Sequence, residues 1–303
     1  MVRYKDYHQE VNARMHVITL HQIHLQQLQD KILMLTVEYC LNKSMNINDI
    51  KNNNKTIFNA WLHIPSPFGA EIIAKQGWDS ITIDMQHGLI THSDALAILH
   101  AISSTNTIPL IRVPSNNSTD ITKCLDMGAK GIITPMIDNA SQAQEFVDAC
   151  VFPPIGKRSF GPIRAYYTED KDYILNSHNK VLKIIQIESK SAYENLDSIL
   201  SVEHLDGVYI GPNDLALGLG TNRQIDTKNP QRANEFQITD ETMDAIEHIL
   251  KKTKEYGLIA GIHSTSEQIT TLMIEKGFQM VTATSDERLL ASGSQNMLKN
   301  LKK

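Results

Sequence analysis

The sequence predicts a (β/α)8 TIM barrel, an eight-stranded α/β fold, with an extra helix at its N-terminus. From Thr56 onward, short apolar runs alternate with helix-like segments, and eight such repeats in roughly 250 residues are typical of this barrel. Most runs are apolar throughout, as expected of parallel strands buried on both faces. An open, doubly wound sheet is the alternative, but no G-x-G-x-x-G turn follows the first run, which weakens its dinucleotide-binding version.

The eight predicted strands are apolar runs bounded by glycine, proline or polar turn residues. They span residues 56–63, 80–85, 109–113, 131–136, 183–188, 207–211, 259–263 and 279–284. The Gly- and Pro-rich stretch 153–162 is too broken for a central strand and predicts a loop. A second, polar connection is predicted over residues 221–239.

Helices are predicted between these strands, several of them ending at a glycine that can adopt a left-handed backbone conformation. They span residues 67–76, 93–103, 119–127, 141–149, 192–202, 241–256, 266–276 and 289–301. Gly77, Gly128, Gly257 and Gly277 are the predicted stops, and Ser93 is a predicted N-cap.

The first 55 residues differ from the rest of the chain. Between residues 15 and 39 the apolar residues follow a helical period, and Ile18, Leu25 and Ile32 are seven apart. This pattern predicts a helix that packs on a partner subunit or on its own barrel. Residues 46–55 are polar and Asn-rich, which predicts a linker. The predicted domains are residues 1–55, the helical extension and linker, and residues 56–303, the barrel.

Composition excludes several classes of protein. The chain has 303 residues, 41% hydrophobic and 21% charged, with a net charge of −5, which gives no support for nucleic-acid binding. Cys40, Cys124 and Cys150 are too widely spaced for a disulfide framework or a zinc site. No apolar run approaches the roughly 20 residues that span a membrane, and no signal-peptide core is present. We therefore expect a cytoplasmic protein without membrane or nucleic-acid partners.

Polar residues gather where the predicted strands end, which in such a barrel is the functional face. These residues are Asp84 and His87 after the second strand, Arg112 after the third, Glu188 after the fifth, Gly211 and Asp214 after the sixth, and His263 after the seventh. A single strand-end histidine is more often structural, and two strand-end acids can be ordinary ones, with one capping a helix. Because so many polar groups converge, a functional site is the better interpretation.

Each of these groups suits a step of aldol chemistry. Glu188 and Asp214 are hard oxygen ligands suited to Mg²⁺ or Mn²⁺, and such a cation could chelate a 2-oxo acid and stabilise its enolate. Arg112 can pair with a carboxylate or a developing oxyanion. His87, oriented by Asp84, could transfer protons near neutral pH.

The backbone and the lysines add two further points. Gly211 brings backbone N–H groups close to a ligand without an obstructing side chain. A Schiff-base mechanism would need a lysine at the same face, but Lys183 lies near the start of its strand, and Lys157 and Lys190 lie in loops. The sequence therefore favours a metal-dependent mechanism over a lysine imine.

Six segments, in order and at suitable spacing, resemble the HpcH/HpaI aldolase/citrate lyase family. They are residues 83–88 (IDMQHG), 110–114 (LIRVP), 125–129 (LDMGA), 153–158 (PPIGKR), 186–188 (QIE) and 210–215 (IGPNDL). Each motif is weak alone, but the ordered set is specific, and the resemblance covers residues 56–295. It implies a TIM barrel that performs class II aldol cleavage and condensation with Mg²⁺, Mn²⁺ or Co²⁺. The implied substrates are a 2-oxo acid of the pyruvate type and an aldehyde.

The resemblance also implies roles for individual residues and an assembly. Glu188 and Asp214 would hold the metal, His87 with Asp84 would be the acid/base pair, and Arg112 would stabilise the pyruvate enolate. Gln186 would contact substrate, Gly211 and Asn213 would bind its carboxylate through backbone N–H groups, and Asp126 would line the site or a subunit contact beside it. The family implies a homo-oligomer, usually a hexamer built from dimers, in which neighbours exchange their last helices.

Two departures from the family pattern leave alternatives open. The family often has a glutamate directly before the histidine, whereas this chain has Gln86, and a neutral amide can hydrogen-bond water but cannot take its proton. The extension over residues 1–44 is the second departure. A citrate-lyase-like CoA ester lyase would share the two-carboxylate site but needs a basic groove for the CoA phosphates, and none is evident. A non-catalytic barrel, assembled through its N-terminal helix, is the third hypothesis.

Overall fold

Eight parallel strands close into a barrel, with each strand hydrogen-bonded to its neighbours in sequence order and β8 paired with β1. The computed structural model describes residues 47–52, 55–221, 238–264 and 266–302. The predicted (β/α)8 fold is confirmed. The strands are β1 (Ile57–Leu62), β2 (Ser80–Asp84), β3 (Ile108–Arg112), β4 (Gly131–Thr134), β5 (Leu182–Ile187), β6 (Gly207–Ile210), β7 (Ile259–His263) and β8 (Met280–Ser285).

Helices precede, connect and follow the strands. They are α1 (Ile47–Asn52), α2 (Pro67–Ala74), α3 (His92–Ile102), α4 (Ser118–Asp126), α5 (Ala140–Cys150), α6 (Ala165–Thr168), α7 (Ser177–Lys180), α8 (Lys190–Glu194), α9 (Leu196–Leu200), α10 (Pro212–Leu219), α11 (Asp240–Glu255), α12 (Glu267–Lys276) and α13 (Asp286–Leu301). Among the helices described, none has both the length and the apolar character needed to cross a membrane.

Local sequence signals explain where the helices begin and end. The four glycines predicted as stops all have positive φ, from +71° at Gly257 to +99° at Gly128. Helix α3 begins at His92, one residue earlier than predicted, because its N-cap is Thr91 rather than Ser93. The Thr91 hydroxyl accepts from the backbone N–H of Asp94, and the Asp94 carboxylate accepts from the backbone N–H of Thr91. This reciprocal capping box satisfies two backbone donors at once.

Three segments differ from the prediction. The helix predicted over residues 192–202 is two short helices, α8 and α9, that meet at Asn195. Helix α10 was not predicted, although Pro212 at its first position and Gly220 in the left-handed region (φ +69°) are ordinary start and stop signals. The predicted linker contains helix α1. The helix predicted within residues 15–39 and most of the connection 221–239 lie outside the described residues.

Helix α1 packs at the amino ends of the strands. Ile47 and Ile50 are buried in one apolar cluster with strand residues such as Ile57. Beside them, the Lys51 ammonium contacts the Asp206 carboxylate at 2.7 Å, and Lys183 contacts the other oxygen of that carboxylate at 2.5 Å. Lys183 therefore points to the amino ends of the strands, as the sequence predicted. It cannot serve as a Schiff-base lysine in a site at the carboxyl ends.

Candidate active site

The carboxyl ends of the strands surround a cavity of about 210 Å³. Six of the residues predicted to form the site line it: His87, Arg112, Gln186, Gly211, Asn213 and Asp214. They lie on, or directly after, four strands that are separated in sequence, β2, β3, β5 and β6. Closure of the barrel brings them together, because it places the carboxyl ends of all the strands on one face.

The Arg112 guanidinium is fixed by a bidentate ion pair with Asp84. These residues end β3 and β2 and are paired in the sheet register. Nε of Arg112 donates to Oδ1 of Asp84 at 2.8 Å, and Nη2 donates to Oδ2 at 2.5 Å. The guanidinium also lies over the Trp61 ring, 4.8 Å from its centroid. Two hydrogen bonds and an aromatic face leave the guanidinium little freedom to reorient.

Asp84 is fully buried, and its carboxylate organises the loop after β2. Besides Arg112, it accepts hydrogen bonds from the Trp61 indole at 3.2 Å and from the backbone N–H of Gln86 at 2.9 Å. Burial alone would raise the pKa of Asp84, but its contacts with His63 and Arg112 outweigh burial and hold the pKa well below its usual range. Asp84 is therefore a carboxylate at any physiological pH.

The predicted pairing of Asp84 with the His87 imidazole is not what the structure has. Asp84 accepts from the backbone N–H of His87 at 3.3 Å, and the imidazole next to its carboxylate is that of His63, with Nε2 3.0 Å from Oδ2. His87 is exposed at the edge of the cavity. The physical reason is that Arg112, Trp61, His63 and the loop backbone already occupy both oxygens of Asp84. Asp84 thus positions the chain that carries His87 rather than its ring.

Glu188 and Asp214 face a common space beside the cavity. Glu188 follows β5 and is buried, whereas Asp214 lies in the first turn of α10. Oε1 of Glu188 accepts from the backbone N–H of Met136 and Oε2 from the Gln186 amide, each at 2.8 Å. A Cβ atom on Gly211 would lie 3.2 Å from Oε2 of Glu188 and 3.5 Å from Oδ2 of Asp214. The space between the carboxylates is open because residue 211 is glycine.

The electrostatics of this pair fit a divalent cation. Burial raises the pKa of Glu188 to about 7, with a smaller contribution from the neighbouring Asp214 carboxylate, while the Met136 N–H acts in the opposite direction. Glu188 is buried while Asp214 is exposed, and a buried carboxylate beside a second one is costly unless a cation compensates the pair. Their oxygens are the hard donors that Mg²⁺ and Mn²⁺ prefer, and two protein ligands leave coordination positions for water and substrate. The residues present therefore fit such a metal.

Aromatic and histidine side chains complete the cavity wall. Nδ1 of His263 lies 3.2 Å from the Tyr209 hydroxyl, and the His263 ring meets Trp61 edge-on with 5.2 Å between centroids. Desolvation of the half-buried ring, aided by nearby Arg112, lowers the pKa of His263 to about 3, so this imidazole is neutral near pH 7. The sequence marked His263 as a strand end, but Trp61 and Tyr209 are interior strand residues that no local signal distinguishes from core.

Asp126 does not line this cavity, contrary to one of its two expected roles. It is the last residue of α4, and its carboxylate accepts from Nη2 of Arg158 at 2.7 Å. It lines a separate cavity of about 850 Å³ against α4, α5 and the loop 157–164. Helices of a β/α barrel run antiparallel to the strands, so the end of a helix lies near the amino ends of the strands and away from the site. A role for Asp126 in a subunit contact stays a prediction.

Comparisons with known proteins are consistent with this geometry. The family model described as "HpcH/HpaI aldolase/citrate lyase" matches residues 58–292. A hydroxypyruvate/pyruvate aldolase of Rhizorhabdus wittichii is 34% identical over 247 residues, which cover 82% of this chain and 94% of that protein. A 4-hydroxy-2-oxo-heptane-1,7-dioate aldolase of Escherichia coli is 32% identical over 238 residues, 78% of this chain and 86% of the relative.

A solved structure supports the fold independently. The crystal structure of an HpcH/HpaI aldolase/citrate lyase family protein from Burkholderia cenocepacia superimposes with a TM-score of 0.76. It covers 85% of this chain and 98% of its own, with 24% sequence identity. At 24% identity the structural similarity shows the fold alone and gives no evidence about the reaction.

Proposed function

Because the chain belongs to the HpcH/HpaI aldolase/citrate lyase family, we propose that it is a divalent-metal-dependent aldolase that cleaves or forms 4-hydroxy-2-oxo acids, with pyruvate as the common partner. It is a carbon–carbon lyase of the aldolase type, since the aldolase-named relatives cover most of its length. The observation that carries the proposal is the convergence of Arg112, His87 and Asp214 on one cavity, with the Glu188 carboxylate facing that of Asp214 beside it.

Glu188 and Asp214 are the groups that would hold the metal. A bound Mg²⁺, Mn²⁺ or Co²⁺ ion would act as a Lewis acid on the oxygens of the 2-oxo acid. Gln186 donates its amide N–H to Oε2 of Glu188 and so orients that carboxylate. We assign Gln186 a second role as a substrate contact, because it also lines the cavity.

Arg112 supplies the positive charge for the substrate anion. Its Nη1 donates to the side-chain amide oxygen Oε1 of Gln186 at a long 3.4 Å, and because Arg112 lines the cavity we infer that guanidinium N–H groups remain available to a ligand there. They can donate to the substrate carboxylate or to the oxygen that gains charge as the carbon–carbon bond breaks. Backbone N–H groups of Gly211 and Asn213, next to the start of α10, are assigned to the same carboxylate.

His87 is assigned the proton transfer. In cleavage, an imidazole at the edge of the cavity takes the proton of the 4-hydroxyl group while the bond between C3 and C4 breaks, releasing the aldehyde and the pyruvate enolate. Protonation of that enolate at carbon gives pyruvate, and condensation is the reverse. The cavity of about 210 Å³ is small compared with the roughly 300–1,000 Å³ of drug-sized sites and suits a substrate of few atoms.

Assembly is part of the proposal. In helix α13 none of the described residues is buried within the chain, and Leu290, Met297 and Leu301 are 68%, 64% and 76% exposed. Such an apolar face needs a partner in water. We propose that copies of this chain exchange α13 in a homo-oligomer, which by family pattern is a hexamer built from dimers. The CoA ester lyase and the non-catalytic barrel are supported less, because the relatives named above are aldolases.

A coupled pyruvate-release assay on a panel of 4-hydroxy-2-oxo acids tests the function. We expect release that EDTA abolishes, that Mg²⁺, Mn²⁺ or Co²⁺ restores, and that Glu188→Gln and His87→Ala lower severely. Glu194→Gln is the matched control, since Glu194 is an exposed helix residue that is not among the cavity-lining residues and contacts Lys190 at 3.7 Å. Pyruvate release that chelation does not affect, or no release from any substrate by folded protein, would contradict the proposal.

A further inference from the structure

His63, which directly follows β1, joins the active site to the first turn of the last helix. Its Nε2 lies 3.0 Å from Oδ2 of Asp84, and its Nδ1 lies 2.9 Å from Oε2 of Glu287 in α13. The helix is fixed at the same point, because the Asp286 carboxylate accepts from the backbone N–H groups of His63 and Ile64 at 2.8 and 3.0 Å. His63 also lines the cavity. No part of the proposed aldolase chemistry uses it.

The geometry sets the charge of this imidazole. Both ring nitrogens face carboxylate oxygens, and an ionised carboxylate can only accept hydrogen bonds. Both nitrogens must therefore carry hydrogen, so His63 is an imidazolium. Burial alone would lower the pKa of His63, but the contacts with Asp84 and Glu287 more than offset burial and raise it. His63, Asp286 and Glu287 resemble a metal-ligand cluster, yet the ring nitrogens are already satisfied by these ion pairs.

The charged groups around His63 come from four elements. Asp84 is on β2, Arg112 is on β3, His263 is on β7, and Asp286, Glu287 and Arg288 are on α13, where Nε of Arg288 lies 3.9 Å from Oε1 of Glu287. His263 is neutral near pH 7, whereas Glu287 is ionised: burial would raise its pKa, but the Ser285 hydroxyl and His63 lower it. Asp84 is thus shared between two cations, Arg112 and His63. Without the His63 charge, Asp84 would neutralise Arg112 more completely.

We propose that His63 is a positioning residue that strengthens the binding of the anionic 2-oxo acid, by sharing Asp84 with Arg112 and so leaving more of the Arg112 charge available to the substrate. This inference rests on the proposed aldolase function. It predicts a link between pH and substrate binding with a defined sign. His63 is protonated below its pKa and loses its charge above it, so KM for the 2-oxo acid should rise by about tenfold as the pH passes upward through that value.

The experiment compares wild type with His63→Gln, Glu287→Gln and the control His248→Gln, using the full chain loaded with Mn²⁺. KM and kcat are measured across the pH range from 6 to 10 on the best substrate of the panel, and the His63 ring is titrated by NMR. His63→Gln keeps a donor but no charge, so we expect a raised KM at low pH and no further alkaline rise, with kcat changed less. His248 is an exposed residue on α11 that packs on Tyr193 and should leave the profile unchanged.

Glu287→Gln separates the proposal from a merely structural role. Glu287 is not among the cavity-lining residues, and removing its charge should lower the pKa of His63 and move the alkaline rise of KM to lower pH. The NMR titration of His63 should move by the same amount. The inference is overturned if His63→Gln retains the alkaline rise, or if Glu287→Gln shifts the NMR titration but not KM. A wild-type enzyme without aldolase activity would instead refute the proposed function.

Discussion

At the scale of single residues, the most constrained side chain of the site is Arg112. It is held by two hydrogen bonds to Asp84 and by the face of Trp61. A planar guanidinium can satisfy this arrangement and still offer N–H groups to a substrate, whereas an ammonium group offers one point of attachment. We therefore expect the proposed site to depend on arginine specifically and not only on a positive charge.

Replacing Arg112 by lysine should lower kcat/KM for pyruvate release by about 100-fold while the fold persists. The charge remains, but the bidentate contact with Asp84 and the direction of the remaining donors are lost. Circular dichroism would confirm folding. Arg164→Lys is the control, because Arg164 donates to the Met127 carbonyl on the outer side of the barrel. Full activity in Arg112→Lys would show that directional donation is unimportant.

The lowered pKa of His263 predicts that this residue contributes to the loss of folding stability at acidic pH. The folded state holds this imidazole neutral down to about pH 3, whereas the unfolded chain binds the proton near 6.5. The contribution to the free energy of unfolding is complete above pH 6.5 and is lost as the pH falls, by at most about 1.4 kcal/mol per pH unit. His263→Asn should therefore show a flatter loss of stability between pH 6.5 and 4.5 in urea unfolding.

The control for the pH dependence of the unfolding free energy is His248→Asn, which replaces an exposed imidazole of α11. It should retain the wild-type dependence on pH. Since His263→Asn also removes ring contacts with Trp61, its overall stability should be lower, and only the slope reports the titration. A wild-type slope in His263→Asn would argue that other groups account for the acid sensitivity.

Residue types near strand ends could be found from the sequence, but their pairings could not. Asp84, Arg112, Glu188 and Asp214 stand out because carboxylates and a guanidinium at the ends of apolar runs are unusual. His63 does not stand out, since it follows β1 between two apolar residues. Its partner Glu287 is 224 positions away, and only closure of β8 onto β1 brings the two together.

At the scale of secondary-structure elements, a single glycine after an amphipathic segment was enough to predict where a helix ends. The glycine stops of four helices were predicted, because a positive φ has few alternatives to glycine. The helix over residues 192–202 was predicted as continuous because its apolar residues keep a helical period, and the break at Asn195 has no such local signal. The polar composition of residues 46–55 predicted a linker and not α1, whose Ile47 and Ile50 are nevertheless buried in an apolar cluster of the barrel.

The turn from β6 into α10 offers a test of the carboxylate pair. Gly211→Ala would place a Cβ atom 3.2 Å from Oε2 of Glu188 and 3.5 Å from Asp214, so we expect Mn²⁺ affinity to fall by about tenfold or more, with little change in stability. Isothermal titration with Mn²⁺ measures this. The backbone at Gly211 (φ −93°) accepts alanine without strain.

A matched glycine provides the comparison. Gly293 lies within α13, and a Cβ atom there meets nothing within 4 Å. Gly293→Ala should leave Mn²⁺ binding unchanged and, if anything, stabilise the helix by up to about 1 kcal/mol. Equal Mn²⁺ affinity in Gly211→Ala and wild type would place the cation elsewhere than between Glu188 and Asp214.

At the scale of the whole molecule, residues 45–303 form one compact unit, and helix α1 belongs to it. A chain that starts at Met45 should retain the thermal stability of this unit. A chain that starts at Lys55 lacks Ile47, Ile50 and Lys51, and should lose about 4 kcal/mol of unfolding free energy from the two isoleucines alone. It would also leave Asp206 with Lys183 as its remaining cation.

Urea unfolding of the two truncated chains measures this difference. Lys51→Met within the chain starting at Met45 separates the ion pair from apolar burial, since it keeps side-chain bulk without charge. Equal stability of the two truncations would show that α1 contributes nothing, and that the linker interpretation of residues 46–55 was adequate. The role of residues 1–44, the cytoplasmic location and the subunit number stay predictions.

The sequence by itself determined the class of fold and identified most of the residues that we assign to the candidate site. Apolar runs with glycine and proline between them encode strands and helices locally, and strand order in a β/α barrel follows chain order, so polar residues after each run had to share a face. The tertiary structure decided which side chains meet. The Asp84 carboxylate contacts the side chains of Arg112 and His63 rather than the His87 ring, and Asp126 lies outside the cavity. Contacts of this kind depend on strand register, on closure of the barrel and on competition between donors for a limited number of carboxylate oxygens. No single segment of the sequence determines any of these.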